Sequence, residues 1–221
     1  RSILPTSRHP QPLPYAQVLR SMGHLLRTQP ALRLRTTASA LAFASVSVMF
    51  ATMALVLSAD PLQLSDAQIG LVGLAGVTGA LIAQMAGSLA DKGRGNALLR
   101  LGALTLLLSW LPLWWGQTSV WWFVAGVLVM DLGLQAINVT NQSSIANLLP
   151  DARNRMKAVY MTGYFAGASA GSALGVWAWN AAGWLGACSM GALLAALAAL
   201  SVWRGVRWSQ KQQQRGTVQA A

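Results

Sequence analysis

The sequence predicts an all-α integral membrane protein with six transmembrane helices. Three observations carry that prediction: an apolar composition, six apolar runs of spanning length, and basic residues confined to alternate connections. Of 221 residues, 54% are hydrophobic and 10% charged, where a soluble domain carries about 25% charged residues. The mean hydropathy is +0.46. The runs fall at about 36–59, 67–89, 97–115, 119–141, 158–180 and 183–203. Each is close to the roughly 20 residues that cross about 30 Å of hydrocarbon. Fifteen of the sixteen Lys and Arg lie in the leader, the second and fourth connections or the tail, and Arg100 lies just inside the third run, beside the second connection. The first, third and fifth connections have none, and the first carries Asp60 and Asp66. The positive-inside rule then places both termini in the cytoplasm. The net charge of +11 is thus explained by topology. No basic stripe or nucleic-acid motif accompanies it, so no nucleic-acid partner is expected.

Residues 1–35 form a cytoplasmic leader. Four prolines (Pro5, Pro10, Pro12, Pro14) make its first part irregular. From about 15 to 28 the pattern is helical, with Tyr15, Val18, Leu19, Met22, Leu25 and Leu26 on one face. Such an amphipathic helix lies on the membrane surface or packs against the ends of other helices. Residues 36–204 form the transmembrane domain and 205–221 a cytoplasmic tail.

The second run has Gly70, Gly73, Gly76 and Gly79, then enters a charged turn, Gly87-Ser-Leu-Ala-Asp-Lys-Gly-Arg-Gly-Asn96. Asp91 there reads most simply as a charge that compensates a helix end. Eight tryptophans, Trp110, Trp114, Trp115, Trp121, Trp122, Trp177, Trp179 and Trp184, gather at the ends remote from the basic connections. They read as an aromatic belt at one interface. The fourth connection, Leu149-Pro-Asp-Ala-Arg-Asn-Arg155, sets the helix-stopping Pro150 before a basic turn carrying Arg153 and Arg155. The fifth run repeats glycine at four-residue intervals, Gly163, Gly167, Gly171 and Gly175. Small residues at that spacing let helix backbones approach closely, for static packing or as a sliding surface.

The fourth run carries the chemistry. Asp131 lies eleven residues after Val120, roughly 16 Å into the span and near the midplane. A carboxylate at that depth is costly and by default faces the bundle interior or a water-filled cavity. Asp131, Gln135, Asn138 and Gln142 follow helical spacing and share one narrow face. A polar face from midplane to membrane edge suits a substrate or proton pathway. It also suits a buried hydrogen-bond network or a helix that leaves the membrane near Asn138. Gln142 fits the network better, and Asp131 the pathway. No basic residue lies within a run at a depth similar to that of Asp131.

Other chemistries lack their residues. One cysteine, Cys188, provides no disulfide framework, and His9 and His24 have no ligand-spaced partners. No metal or cofactor is expected. The runs contain no paired carboxylate, Ser/His pair or His/Glu set, so an enzyme is not expected either.

The Gly87–Arg94 turn resembles the cytoplasmic loop of the major facilitator superfamily, roughly Gly-x-Leu-Ala-Asp-Arg-x-Gly-Arg, with one residue missing between Lys92 and Gly93. Asp131-Leu-Gly-Leu-Gln135, Asn141-Gln142, Leu149-Pro150, Ala152-Arg153, Arg155 and Tyr160-Met161-Thr162 are similar to the tenth and eleventh helices of bacterial efflux-type members. The resemblance covers about residues 15–204. It implies a carboxy-terminal half of the fold, built from inverted three-helix repeats, in a bacterial inner membrane. It further implies secondary active transport by alternating access, as proton-coupled efflux of a small organic molecule. Gly87, Asp91, Lys92 and Arg94 would form a cytoplasmic gate, and the Asp131 face would line the cavity. The superfamily has twelve spans, so a separate amino-terminal half or a second copy is an expected partner, beside the bilayer, substrate and protons. The competing expectation is an inactive remnant or a non-transporting membrane scaffold, in which Asp131 and Asp91 could be replaced without consequence.

Overall fold

The computed structural model of the chain describes residues 15–74, 94–146, 148 and 152–220. All regular structure among them is helical. Helix α1 (Tyr15–Thr28) is followed directly by α2 (Pro30–Ser58). The break falls at Gln29, which is extended (φ −112°, ψ 90°) because the following Pro30 disfavours helical backbone before it. Pro30 itself opens α2, where its missing N–H leaves no bond unmade. The first span therefore starts six residues earlier than its apolar run, and Arg33 and Arg35 lie on it.

After α2 the chain turns, with the Leu64 N–H donating to the Leu57 carbonyl at 2.9 Å. Ser65 and Gln68 then cap α3 (66–74), the Gln68 Oε1 accepting from the Ser65 N–H at 2.9 Å. This is the reciprocal half of a capping box. The remainder of the second run, with Gly76, Gly79, Gly87, Asp91 and Lys92, lies outside the described residues.

Helices α4 (Gly95–Leu108) and α5 (Trp110–Trp115) form one candidate span of 21 residues, interrupted at Ser109. Pro112 explains the interruption: it cannot donate to the Leu108 carbonyl, and it sits in the first turn of a new helix, where no such bond is needed. Helix α6 (Val120–Ala146) continues without interruption past Asn138. Helix α7 (Arg153–Ala220) breaks at Ala182 (φ −150°, ψ 27°) and Gly183 (φ 58°, ψ −145°). The positive φ at Gly183 is a conformation that side chains with a Cβ seldom adopt.

That break is a reversal. Along the first limb (153–181), Gly163, Gly167, Gly171 and Gly175 meet Thr36, Ala40, Ala44 and Val48 of α2, in parallel. On the second limb (184–220), the Gly191 carbonyl accepts from Ser45 Oγ at 2.8 Å, while Gly205 faces Leu34. That limb therefore runs antiparallel to α2. A candidate span of 60 residues would extend about 90 Å if straight, three times the hydrocarbon thickness. Folded at Ala182–Gly183, each of its two limbs is long enough to cross that thickness once. By length and composition the described residues contain four candidate spans, of which this is the last.

Helix α4 lies antiparallel to α6. A Cβ at Gly133 would be 2.6 Å from the Leu106 nitrogen, and one at Gly102 would be 2.8 Å from the Ala136 Cβ. The backbones touch there because neither glycine holds them apart. Helix α1 packs against the basic end of the bundle. Its Met22, Leu25 and Leu26 contact a cluster of Leu32, Ile145, Met156, Val159 and Tyr160, while Arg20, His24 and Arg27 stay exposed.

Of the eight tryptophans expected in the belt, Trp179 is half-buried and the others divide into two sets. Trp114, Trp115, Trp121, Trp122 and Trp177 are exposed on the bundle surface, as an interfacial belt requires. Trp110 and Trp184 are buried. Their indole N–H groups donate to Ser45 Oγ at 2.9 Å and the Leu113 carbonyl at 3.0 Å. A bonded indole N–H lets such a ring serve as core, so these two do not belong to the belt.

Candidate functional site: the polar face of α6

The polar face of α6 is divided into two tiers. In the upper tier, Asp131 is buried near the middle of the helix, and Gln135, one turn on, is half-buried. Neither makes a hydrogen bond or ion pair with another described residue. Tyr164 of α7 lies within electrostatic range of Asp131. Its ring stacks on Phe43 of α2, with centroids 4.2 Å apart and planes 16° from parallel. Phe43 and Tyr164 thus form an aromatic pair that joins α2 to α7.

The lower tier is a hydrogen-bonded chain across three helices. Arg35 Nη1 donates to Asn141 Oδ1 at 3.0 Å, and Asn141 Nδ2 donates to Ser39 Oγ at 2.8 Å. Tyr160 Oη lies 2.9 Å from Ser39 Oγ and 2.7 Å from Asn138 Oδ1. Gln142 Nε2 donates to the same Asn138 oxygen at 3.0 Å. The amide oxygen of Asn138 can only accept, so the single Tyr160 proton goes there. The Ser39 hydroxyl then supplies the proton shared with Tyr160. Every contact in the tier is satisfied by this one set of orientations. Ser39, Asn141 and Tyr160 are buried, where an unpaired polar group costs about 1–3 kcal/mol. The tier therefore ties α2, α6 and the first limb of α7 together at the basic end.

Two hydroxyls beside this tier, Thr36 Oγ1 and Thr140 Oγ1, are buried and have no partner among the described residues. A Cβ on Gly95 would lie 3.3 Å from the Thr140 Cγ2. The end of the charged turn is thereby placed next to the lower tier. Of the turn's proposed gate residues, Gly87, Asp91 and Lys92 lie outside the described residues. Arg94 is exposed just ahead of α4, and its side chain does not cap that helix. Of the fourth connection, Pro150 lies outside the described residues. Arg153 reaches back across the connection, its Nε donating to the Ala146 carbonyl at 3.1 Å. It thereby satisfies one of the orphan carbonyls at the end of α6. Arg155 is exposed.

A family model for the Major Facilitator Superfamily matches residues 36–220. The chain belongs to the major facilitator superfamily. It is 45% identical over 202 residues to "Uncharacterized transporter YgaY" of Escherichia coli O157:H7, which covers 91% of this chain and 51% of that protein. It is 30% identical over 193 residues to "Probable transporter SCO4007" of Streptomyces coelicolor, covering 85% of this chain and 44% of that protein. The chain spans about half the length of the curated relatives it matches. This facilitator chain is a multi-pass membrane protein.

Several of its site residues escape a search for intramembrane charge. Arg35 lies before the first apolar run in the sequence, yet α2 starts at Pro30 and carries it into the lower tier. That puts a cation on the first span at its basic end, ten residues along α6 from the level of Asp131. Ser39 repeats Arg35 at four residues, and Tyr164 repeats Tyr160 at the same interval. A search for polar pairs at helical spacing on the flanking runs finds both.

Proposed function

We propose that the chain is the carboxy-terminal, six-helix half of a secondary active transporter, with inverted three-helix repeats and both termini on the cytoplasmic side of a bacterial inner membrane. In this reading it exports a small organic molecule in exchange for protons by alternating access. It works with a separate amino-terminal half or with a second copy of itself. One observation carries the reading: Asp131 is buried mid-span on α6 with no described hydrogen-bond partner. Intramembrane carboxyls kept without a structural partner mark ion or substrate pathways by default. The superfamily match and the half-length coverage of its relatives support the same reading.

The two tiers divide the work. Asp131 and Gln135 face the cavity, where the carboxyl takes up and releases the coupling proton. Asn138, held by both Tyr160 and Gln142, closes the pathway with Gln142 at the cytoplasmic end. Gly87, Asp91, Lys92 and Arg94 latch the cytoplasmic gate, and Arg153 and Arg155 brace the loop after Pro150. The Gly163–Gly175 face keeps α7 rigid against α2 while the halves rock.

The test uses everted membrane vesicles from cells that express the natural gene. Respiration builds an acidic interior, read with acridine orange, and a panel of small organic cations and anions is then added. A transported compound dissipates the gradient. Asp131→Asn, at equal membrane abundance, is expected to abolish that response. Full dissipation by the variant would remove Asp131 from the coupling, and silence across the panel in wild type would return the chain to a scaffold role.

A further inference from the structure

Helices α4 and the second limb of α7 enclose a small basic groove on the outside of the bundle, remote from the polar face of α6. Its walls are Arg100, Trp203 and Arg207, around a space of about 140 Å³. Arg100 is half-buried and Arg207 exposed. Arg100 Nη2 donates to Gln210 Oε1 at 3.4 Å, which directs the guanidinium across the groove. That single bond leaves most of its five donors unused.

Two guanidinium groups share this space, yet the described carboxylates are elsewhere. Asp60 and Asp66 lie at the opposite end of the bundle, and Asp131 lies mid-span on α6. Like charges held together around a cavity are balanced most directly by a bound anion, and a guanidinium fork matches phosphate oxygens well.

The groove continues toward the membrane centre as an apolar track. Leu104 follows Arg100 by one helical turn and is 42% exposed. On the facing limb, Trp203 lies one turn from Arg207 and Leu200 two turns, exposed by 43% and 51%. Residues at that spacing share a helix face. Cations therefore sit at the interfacial end, an indole sits at headgroup depth, and leucines line the route inward. A soluble anion needs only the first of these.

We infer that Arg100, Trp203 and Arg207 form a binding site for one anionic phospholipid, its phosphodiester held by the two arginines and an acyl chain laid along Leu104 and Leu200. The inference requires only that the chain spans a membrane, and it stands apart from the proposed transport activity.

Native mass spectrometry of the full chain in detergent tests it, with dioleoylphosphatidylglycerol and dioleoylphosphatidylcholine titrated separately. One phosphatidylglycerol should be retained in clear preference to phosphatidylcholine. Arg100→Gln with Arg207→Gln should weaken that retention about 30-fold, the loss expected for two cations near an anionic headgroup. Arg204→Gln, an equally basic neighbour outside the groove, should leave it unchanged. The Arg100→Lys, Arg207→Lys pair should keep most of it, which guards against a folding defect. Equal retention of the two lipids, or undiminished retention by the double Gln variant, would overturn the site. Displacement of the lipid by equimolar glycerol phosphate would overturn the lipid assignment in favour of a soluble anion.

Discussion

A Cβ placed on Gly171 would stand 2.2 Å from the carbonyl oxygen of Ala44. The first limb of α7 and α2 are therefore in backbone contact, and Gly167 repeats the arrangement one turn away, 2.3 Å from the Ala40 oxygen. No side-chain rotation relieves such a clash, because the obstructing atoms belong to the backbone. Gly171→Val is expected to destabilise the bundle by about 3 kcal/mol, at the upper end of the usual cost of overpacking. Thermal unfolding in detergent, followed by circular dichroism, checks this. Gly183→Val tests a different cost, since that position has open space around it but a positive φ.

Tyr160→Phe removes one oxygen and breaks two contacts, to Ser39 and to Asn138. Ser39 is fully buried and loses the acceptor for its proton. The expected loss is about 1–3 kcal/mol, the range for stranding a buried polar group. Combining Tyr160→Phe with Ser39→Ala should cost less than the sum of the two single changes, because the groups share one network. A double-mutant cycle by thermal denaturation measures it.

Asp131→Leu should separate stability from activity. Asp131 has no described hydrogen bond to lose, and a carboxyl within the hydrocarbon depth carries a standing cost. The variant is therefore expected to be more stable than wild type by up to about 3 kcal/mol, on the insertion scale for a mid-helix Asp, and so to unfold at a higher temperature. It should also be inert in the vesicle assay. A structural carboxyl would give the opposite result in the unfolding experiment.

Gly191 is covered by the Trp110 ring, which comes within 1.9 Å of where its Cβ would be. Gly191→Ala must displace an indole that also donates to Ser45. Trp110 fluorescence should shift to longer wavelength as the ring moves towards lipid headgroups or water. Comparison with Trp110→Phe in the same background isolates its signal from the other nine tryptophans.

Much of this arrangement was legible from residues 36 to 204, because lipid enforces simple rules. Spans must be long and apolar, basic residues collect on one side, and glycines at four-residue spacing mark contact. The sequence could not show that Pro30 moves the helix start past Arg35, since the apolar run begins at 36. Nor could it separate buried Trp110 and Trp184 from the belt, because composition at a helix end is the same for a ring facing lipid and one facing Ser45. The two tiers of α6 were visible only as one face. Their separation depends on Tyr160 and Ser39, which come from other helices and are joined by tertiary packing alone.

The central claim is that the Asp131 face of α6 borders an aqueous pathway, and thiol accessibility tests it without knowledge of the substrate. In a Cys188→Ala background, Asp131→Cys, Gln135→Cys and Met130→Cys are expressed in native membranes and exposed to a charged, membrane-impermeant methanethiosulfonate. Met130 is fully buried in the core and serves as the reference. Fast modification is expected at 131 and 135 and none at 130. Positions 131 and 135 as unreactive as 130, from both sides of the membrane, would contradict it.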